Sequence, residues 1–87
     1  MPAPTLQDTL NILHPLTELF KEVFDDSTIQ LTEQTTPADI ESWDSLSNLR
    51  MFMAVEKAFA IRFASHEIGH VQNVGWLIQL ILSKRTA

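Results

Sequence analysis

Residues 41–59 read ESWDSLSNLRMFMAVEKAF, and this stretch decides the fold. From residue 46 onward it contains neither proline nor glycine, and most of its side chains favour a helix. Asp44 stands just ahead, where a side-chain oxygen can accept the unpaired N–H groups of a first helical turn. We therefore predict a helix over residues 45–59 that Asp44 caps, with the Ser45 hydroxyl presented at its start.

Ser45 is the candidate site of chemistry because of where the predicted helix places it. A helix N-terminus carries partial positive charge and unpaired N–H donors, so a phosphate ester is favoured there. No His or Lys lies within several residues of Ser45 to activate its hydroxyl. We therefore predict that another enzyme modifies Ser45 and that the chain is not itself an enzyme.

The chain resembles the acyl carrier protein family, and the signature that carries the resemblance is Asp44-Ser45-Leu46. The resemblance covers residues 16–81 approximately, and it includes apolar residues at the positions that the family uses: Phe59, Ile61, Phe63, Val71 and Val74. It implies an all-α four-helix bundle, with a long loop between helices one and two and a short third helix.

The resemblance also implies a function. Members of the family carry acyl chains as thioesters on a 4′-phosphopantetheine arm, which a magnesium-dependent phosphopantetheinyl transferase moves from coenzyme A to the motif serine. That serine is Ser45 here, with Asp44 and Leu46 beside it. Further partners would be the acyl-loading and acyl-processing enzymes of fatty-acid-like, specialised lipid or secondary-metabolite biosynthesis. Two alternatives stay open: an aminoacyl or peptidyl carrier, and a carrier-like interaction subunit that is never modified.

Length and composition set limits on the class of protein. The chain has 87 residues, 45% of them hydrophobic, which suits a single domain with a small core. It has no Cys, so disulfides and thiolate metal sites are excluded. No apolar run reaches the length of a membrane span, and the first residues lack the pattern of a secretory signal. We expect a cytoplasmic monomer.

The net charge of −5 is spread unevenly along the chain. The first half, through Asp44, holds nine acids against Lys21 alone, whereas basic residues outnumber acids in the second half. No basic stripe with interleaved aromatics is present, so nucleic acid is excluded as a partner. The acidic half favours partner enzymes with basic patches.

Proline 15 leaves two arrangements open near the N-terminus. Residues 1–4 are expected to be frayed, and Thr5 to cap a helix. Pro15 then removes a backbone bond and clashes with the preceding turn, at a cost of about 3 kcal/mol. Residues 5–24 are therefore one kinked helix, or a short segment followed by a helix from Pro15. Residues 5–14 are an extension beyond the family's pattern.

A long polar connection, residues 25–44, follows and contains six acids and no base. Its few apolar residues are predicted to pin it onto the core: Ile29, Leu31 and Ile40. Pro37 is suited to start a short helical turn over residues 37–41. Trp43 is predicted to pack against the end of the bundle.

The helix from Ser45 has two apolar stripes, although a bundle needs only one for its core. Met51 or Phe52, Val55 and Phe59 form the core stripe. The resemblance implies that partner enzymes contact the second stripe, which consists of Leu46, Leu49 and Met53; Leu46 is alternatively part of a wide core face. The same surface offers Arg50, Glu56 and Lys57, whereas many carriers have an acidic helix here. We infer a specialised set of partners.

Residues 65–70 read SHEIGH and contain the His-Glu-x-x-His string of zinc proteases. Two His four residues apart on a helix can bind zinc, with Glu67 as base. Gly69 interrupts the string, no third ligand follows at the metzincin spacing, and the chain is small for a protease cleft. We therefore expect no metal site. The favoured interpretation is a short third helix capped by Ser65, with Ile68 and Val71 buried.

Asn73 is predicted to cap the last helix, which runs from residue 74 to about 85. Its core stripe consists of Val74, Leu77, Ile78 and Ile81. Further apolar residues exceed what one face requires: Trp76, Leu80 and Leu82. They either pack against residues 5–14 or form a partner or dimer surface.

Overall fold

The computed structural model describes residues 5–69 and 71–85 and contains α-helices but no β-strands within those ranges. The four α-helices are α1 (Leu6–Val23), α2 (Ser45–Phe59), α3 (Ser65–Ile68) and α4 (Val74–Arg85). The loop between α1 and α2 contains one turn of 3₁₀ helix, Pro37–Asp39. α1 packs against both α2 and α4, and α3 packs against α2. The predicted all-α bundle with a long first loop and a short third helix is confirmed.

α1 is a single helix that passes through Pro15, so the second of the two predicted arrangements is wrong. The helix continues because apolar residues on both sides of the proline share one buried face: Ile12, Leu16 and Phe20 have no exposed surface. Burial of side chains this large contributes about 1.5–3 kcal/mol each, enough to offset the cost of the proline. Thr5 caps the helix as predicted: its hydroxyl accepts the N–H of Asp8.

The loop between α1 and α2 packs against the bundle through the apolar residues that the sequence predicted for this role. Ile29, Leu31 and Ile40 are each at least nine-tenths buried. Trp43 is buried at the end of the bundle, where its ring meets that of Phe20 edge-on at 5.3 Å. All four predicted positions are therefore confirmed, and the loop is held by its few apolar side chains.

Two backbone hydrogen bonds join this loop to the first turn of α4. The N–H of Val74 donates to the carbonyl of Thr35, and the N–H of Gly75 donates to the carbonyl of Glu33, both at 2.8 Å. A Cβ on residue 75 would lie 3.1 Å from that carbonyl oxygen, so glycine permits the close approach. Asn73 completes the cap as predicted, because its side-chain oxygen accepts the N–H of Trp76.

α2 ends at Phe59, and the next residue, Ala60, has a φ of 56° and so adopts the left-handed conformation. The following link runs with Ile61 buried, Phe63 half-buried and Arg62 exposed, as predicted. The prediction that Ser65 caps α3 is wrong. Ser65 is the first helical residue, and the N–H of Ala64 instead donates to the Glu67 carboxylate at 2.7 Å. Ile68 and Val71 are half-buried, not fully buried as expected.

Some of the additional apolar residues of α4 pack against the hydrophobic core. Leu82 and Trp76 both pack against the hydrophobic core. Leu82 also lines a surface cavity together with Asp8 and Ile12 of α1. The N-terminal extension of α1 and the end of α4 therefore border the same cavity, which favours for Leu82 the first of the two predicted roles.

Candidate functional site

The start of α2 is built by Asp44 as the sequence predicts. Its backbone is extended, with a φ of −108°, and its Oδ1 accepts the N–H of Ser47 at 2.9 Å. Its carbonyl accepts the N–H of Asn48 at 2.8 Å. The hydrogen bonds from Ser47 lower the pKa of the Asp44 carboxyl below its ordinary value, because they stabilise the ionised form. This carboxylate therefore caps the helix.

Ser45 is the first residue of α2, and its side chain is exposed. Its neighbour Leu46 is also exposed, at 59%, so the wide-core interpretation of Leu46 is wrong. The backbone turns at Asp44, the core-facing residues of α2 start only at Met51, and the hydroxyl of Ser45 is left open to solvent. The arrangement offers an accessible oxygen at the positive end of a helix of fifteen residues.

Asn48 supports this helix start, and sequence reasoning missed it. Its side-chain oxygen accepts the indole N–H of Trp43, and its side-chain N–H₂ donates to the carbonyl of Ile68, both at 2.8 Å. One amide therefore ties the end of the loop and the end of α3 to the first turn of α2. The available signal was a weak helix former placed inside a strong helical stretch, one turn after the cap.

A surface groove of about 330 Å³ runs beside Ser45. It lies between the loop, the start of α2 and the end of α3, and the described residues that line it are Pro37, Trp43, Asp44, Ser45, Asn48, Gly69 and Val71. A larger cavity of about 860 Å³ lies along the loop and does not include Ser45. Four carboxylates line that larger cavity, so it does not suit an apolar ligand. The groove beside Ser45 is therefore the better candidate for a ligand attached at that residue.

The predicted partner surface follows Ser45 along α2. Leu49 and Met53 are exposed, at 44% and 60%, and Arg50 and Lys57 are exposed on the same side. Glu56 differs from the other members of the predicted set. It is half-buried, and its carboxylate accepts the N–H of Phe63 at 2.8 Å. This contact gives Glu56 a structural role in fixing the link after α2, so we leave it out of the partner surface.

Glu67, the candidate base of the zinc string, is held by structural contacts. It accepts the N–H of Ala64, and it pairs with Lys84 of α4 at 2.9 Å. These two contacts, in that order, lower its pKa below the ordinary value. His66 is exposed on a helix of four residues, and His70 lies outside the described residues. Among the residues that the structure describes, no three potential ligands gather into a metal site.

The fold agrees with that of a solved relative. The chain is 40% identical to a holo acyl carrier protein from Geobacter metallireducens, whose solution NMR structure superposes with a TM-score of 0.79. The match covers 85% of each chain. The chain belongs to the acyl carrier protein family. No family model and no curated protein sequence gives a significant match.

Membership of the acyl carrier protein family implies a covalently attached 4′-phosphopantetheine, and with it a transferase and enzymes that process the acyl cargo. The residues present fit such a group. Ser45 supplies an exposed hydroxyl, and the adjoining groove gives an attached arm a place to lie. No helix in the described part of this acyl carrier protein is long and apolar enough to cross a membrane.

Proposed function

We propose that Ser45 carries the 4′-phosphopantetheine arm and that the protein holds acyl intermediates as thioesters on it. The exposed hydroxyl of Ser45 at the start of α2 is the observation that supports this assignment. When attached, the arm supplies a terminal thiol that forms the thioester. The pathways we propose are fatty-acid-like or specialised lipid and secondary-metabolite biosynthesis.

The chain's own residues orient the hydroxyl and leave its activation to a transferase. Asp44 fixes the first turn of α2, and its carboxylate is occupied by the N–H of Ser47. Among the described residues that line the groove beside Ser45, none is a His or a Lys. We therefore propose that a phosphopantetheinyl transferase provides the base and the magnesium ion, and that the carrier catalyses nothing by itself.

The electrostatics of the site favour a phosphodiester on Ser45. Peptide dipoles aligned along α2 place partial positive charge at its start, which stabilises a phosphate there by about 0.3–1 kcal/mol when exposed. Leu46 borders the attachment point with an apolar surface on which a partner enzyme can bind. Asp44 and Leu46 thus flank Ser45 as the helix cap and as the first contact residue.

Intact-mass analysis after incubation with coenzyme A, magnesium and a broad-specificity phosphopantetheinyl transferase tests the proposal. We expect one adduct of the mass of phosphopantetheine on the wild-type chain and none on Ser45→Ala. Ser42→Ala is the matched control, because Ser42 is an exposed serine just before the helix cap, and it should accept one adduct. An adduct that persists in Ser45→Ala refutes the site, and an unmodified wild type supports the interaction-subunit alternative.

A further inference from the structure

The outward face of α2 combines exposed apolar side chains with positive charge. Residues 46, 49, 50, 53 and 57 fall within an arc of about 100° at the helical repeat, on the side opposite the buried residues Met51 and Val55. The apolar members Leu46, Leu49 and Met53 are 44–60% exposed. We call this set of five the α2 docking face, and its charged members are Arg50 and Lys57.

The carboxylates on and next to α2 offset these two cations only in part. The one acid within the helix, Glu56, lies at the edge of the face, and its carboxylate is bound to the N–H of Phe63. Asp44 precedes the helix and is bound to the N–H of Ser47. With two cations against the single acid Glu56, the net charge of α2 is positive, although the whole chain has a net charge of −5.

This polarity orients an approaching partner. Six of the eleven acids lie in the loop of residues 25–44, just before α2 begins, so an acidic surface on a partner is repelled by the loop and attracted to the docking face. Charge complementarity of this kind sets the approach orientation and suppresses partners with the wrong sign of charge. Carboxylates around an apolar pocket would complement both the cations and the exposed Leu and Met side chains.

We propose that the docking face of this protein binds partner enzymes through an apolar patch rimmed by Asp and Glu. The proposal rests on the proposed function, because it concerns the enzymes that act on the arm at Ser45. It names the sign of charge that these enzymes must present, which is opposite to the basic patches that the overall acidity of the chain would suggest.

A charge-swap experiment tests the proposal with defined probes. The probes are a malonyl transferase whose carrier-docking patch is rimmed by Lys and Arg, and a version of it in which those cations are replaced by Glu. The holo protein is first prepared with excess transferase and coenzyme A, and its adduct is verified by intact mass. The kcat/KM for malonyl transfer is then measured with each probe at low salt and at about 1 M salt.

We expect the wild-type protein to favour the Glu-rimmed probe by at least about tenfold at low salt. The preference should shrink at about 1 M salt, where the Debye length falls to about 3 Å. Arg50→Glu/Lys57→Glu should reverse it. Lys21→Glu/Arg85→Glu is the matched control, because it changes the net charge equally but lies on α1 and α4, and it should retain the wild-type preference.

Equal rates with the two probes, or a preference for the cation-rimmed one, overturns the inference. A dimer that Arg50→Glu/Lys57→Glu dissociates also overturns it, because the face would then serve a second copy of the chain. Failure to form the adduct in the first step is a different result, since it contradicts the assignment of Ser45 and not the charge of the docking face. Circular dichroism of each variant confirms that it is folded.

Discussion

The start of α4 and the start of α2 differ in what lies over their backbone N–H groups. At α4, loop carbonyls of Glu33 and Thr35 accept the first two N–H groups, and Val74 is completely buried. At α2, the same loop ends at Asp44, which caps one N–H from within the turn and leaves Ser45 exposed. The loop therefore covers one helix start and leaves the other open, which supports our proposal that Ser45 is the residue that is modified.

Substitution of Gly75 by Val should have the largest effect, because it pushes the loop off the start of α4. A Cβ there already meets the Glu33 carbonyl oxygen at 3.1 Å, and two further methyl groups worsen the overlap. We expect a loss of about 2 kcal/mol in the free energy of unfolding, measured by urea denaturation. Folded Gly75→Val should still be modified at Ser45, since the open helix start is untouched.

Gly69→Val provides the control for this substitution. A Cβ on residue 69 has nothing within 4 Å, and its φ of −86° suits any residue. We expect a change within about 0.5 kcal/mol, as for most exposed positions. Equal destabilisation by the two substitutions would contradict the account of a loop held closely on α4.

Removal of the Asn48 side chain should have the next largest effect, because it loosens the support of the open helix start. Asn48→Ala leaves the indole N–H of Trp43 and the carbonyl of Ile68 without their partner. Leaving partly buried polar groups unpaired should lower the free energy of unfolding by about 1–2 kcal/mol. The higher helix propensity of alanine offsets part of this loss. Thermal unfolding measures the loss, and NMR should show faster solvent exchange of the indole proton.

Asn11→Ala is the matched control for Asn48. Asn11 also lies inside a helix, but its side chain only accepts a hydrogen bond from Gln7 at the exposed surface of α1. We expect a change in unfolding free energy close to zero. If the two substitutions destabilise the protein equally, the link between Trp43, Asn48 and Ile68 does not support the start of α2.

The smallest of the three expected effects on stability comes from Glu67, whose contacts hold α3 in place, and it depends on pH. The pKa of Glu67 is lowered, so its ionised form stabilises the fold above the ordinary value of 4.5, and this contribution is lost as pH falls through the lowered pKa. Glu67→Gln should therefore have a lower Tm than the wild type at pH 7, and the gap should close below pH 4.5. A gap that persists at low pH would mean that charge is not the cause.

The features that could be predicted from the sequence are those that depend on neighbouring residues. The cap at Asp44, the exposure of Ser45 and the cap at Asn73 depend on residues within a few positions of one another, so spacing and propensity suffice to predict them. The loop was predictable through the burial of Ile29 and Leu31, because isolated apolar residues in a polar segment have few other places to go.

Contacts between distant parts of the chain were not predictable in this way. Spacing alone placed Glu56 on the partner surface, yet its carboxylate is drawn to a backbone N–H seven residues later. The contact of Asn48 with Ile68 spans twenty residues. Ser65 was expected to cap α3, but Glu67 takes that function from inside the helix. In the first two cases a polar group is satisfied by tertiary geometry that propensity does not contain, whereas the contact between Ala64 and Glu67 spans only three residues and was missed although it is local.

The central claim is that Ser45, at the uncovered helix start, is the residue that carries the prosthetic group. The most direct measurement is fragment mass spectrometry of the wild-type protein after loading from coenzyme A, which assigns the adduct to a single residue. We predict an adduct on Ser45 and none on Ser42 or Ser47, the nearest serines on either side. An adduct on either neighbour, or no adduct at all under conditions that load another carrier completely, would contradict the account.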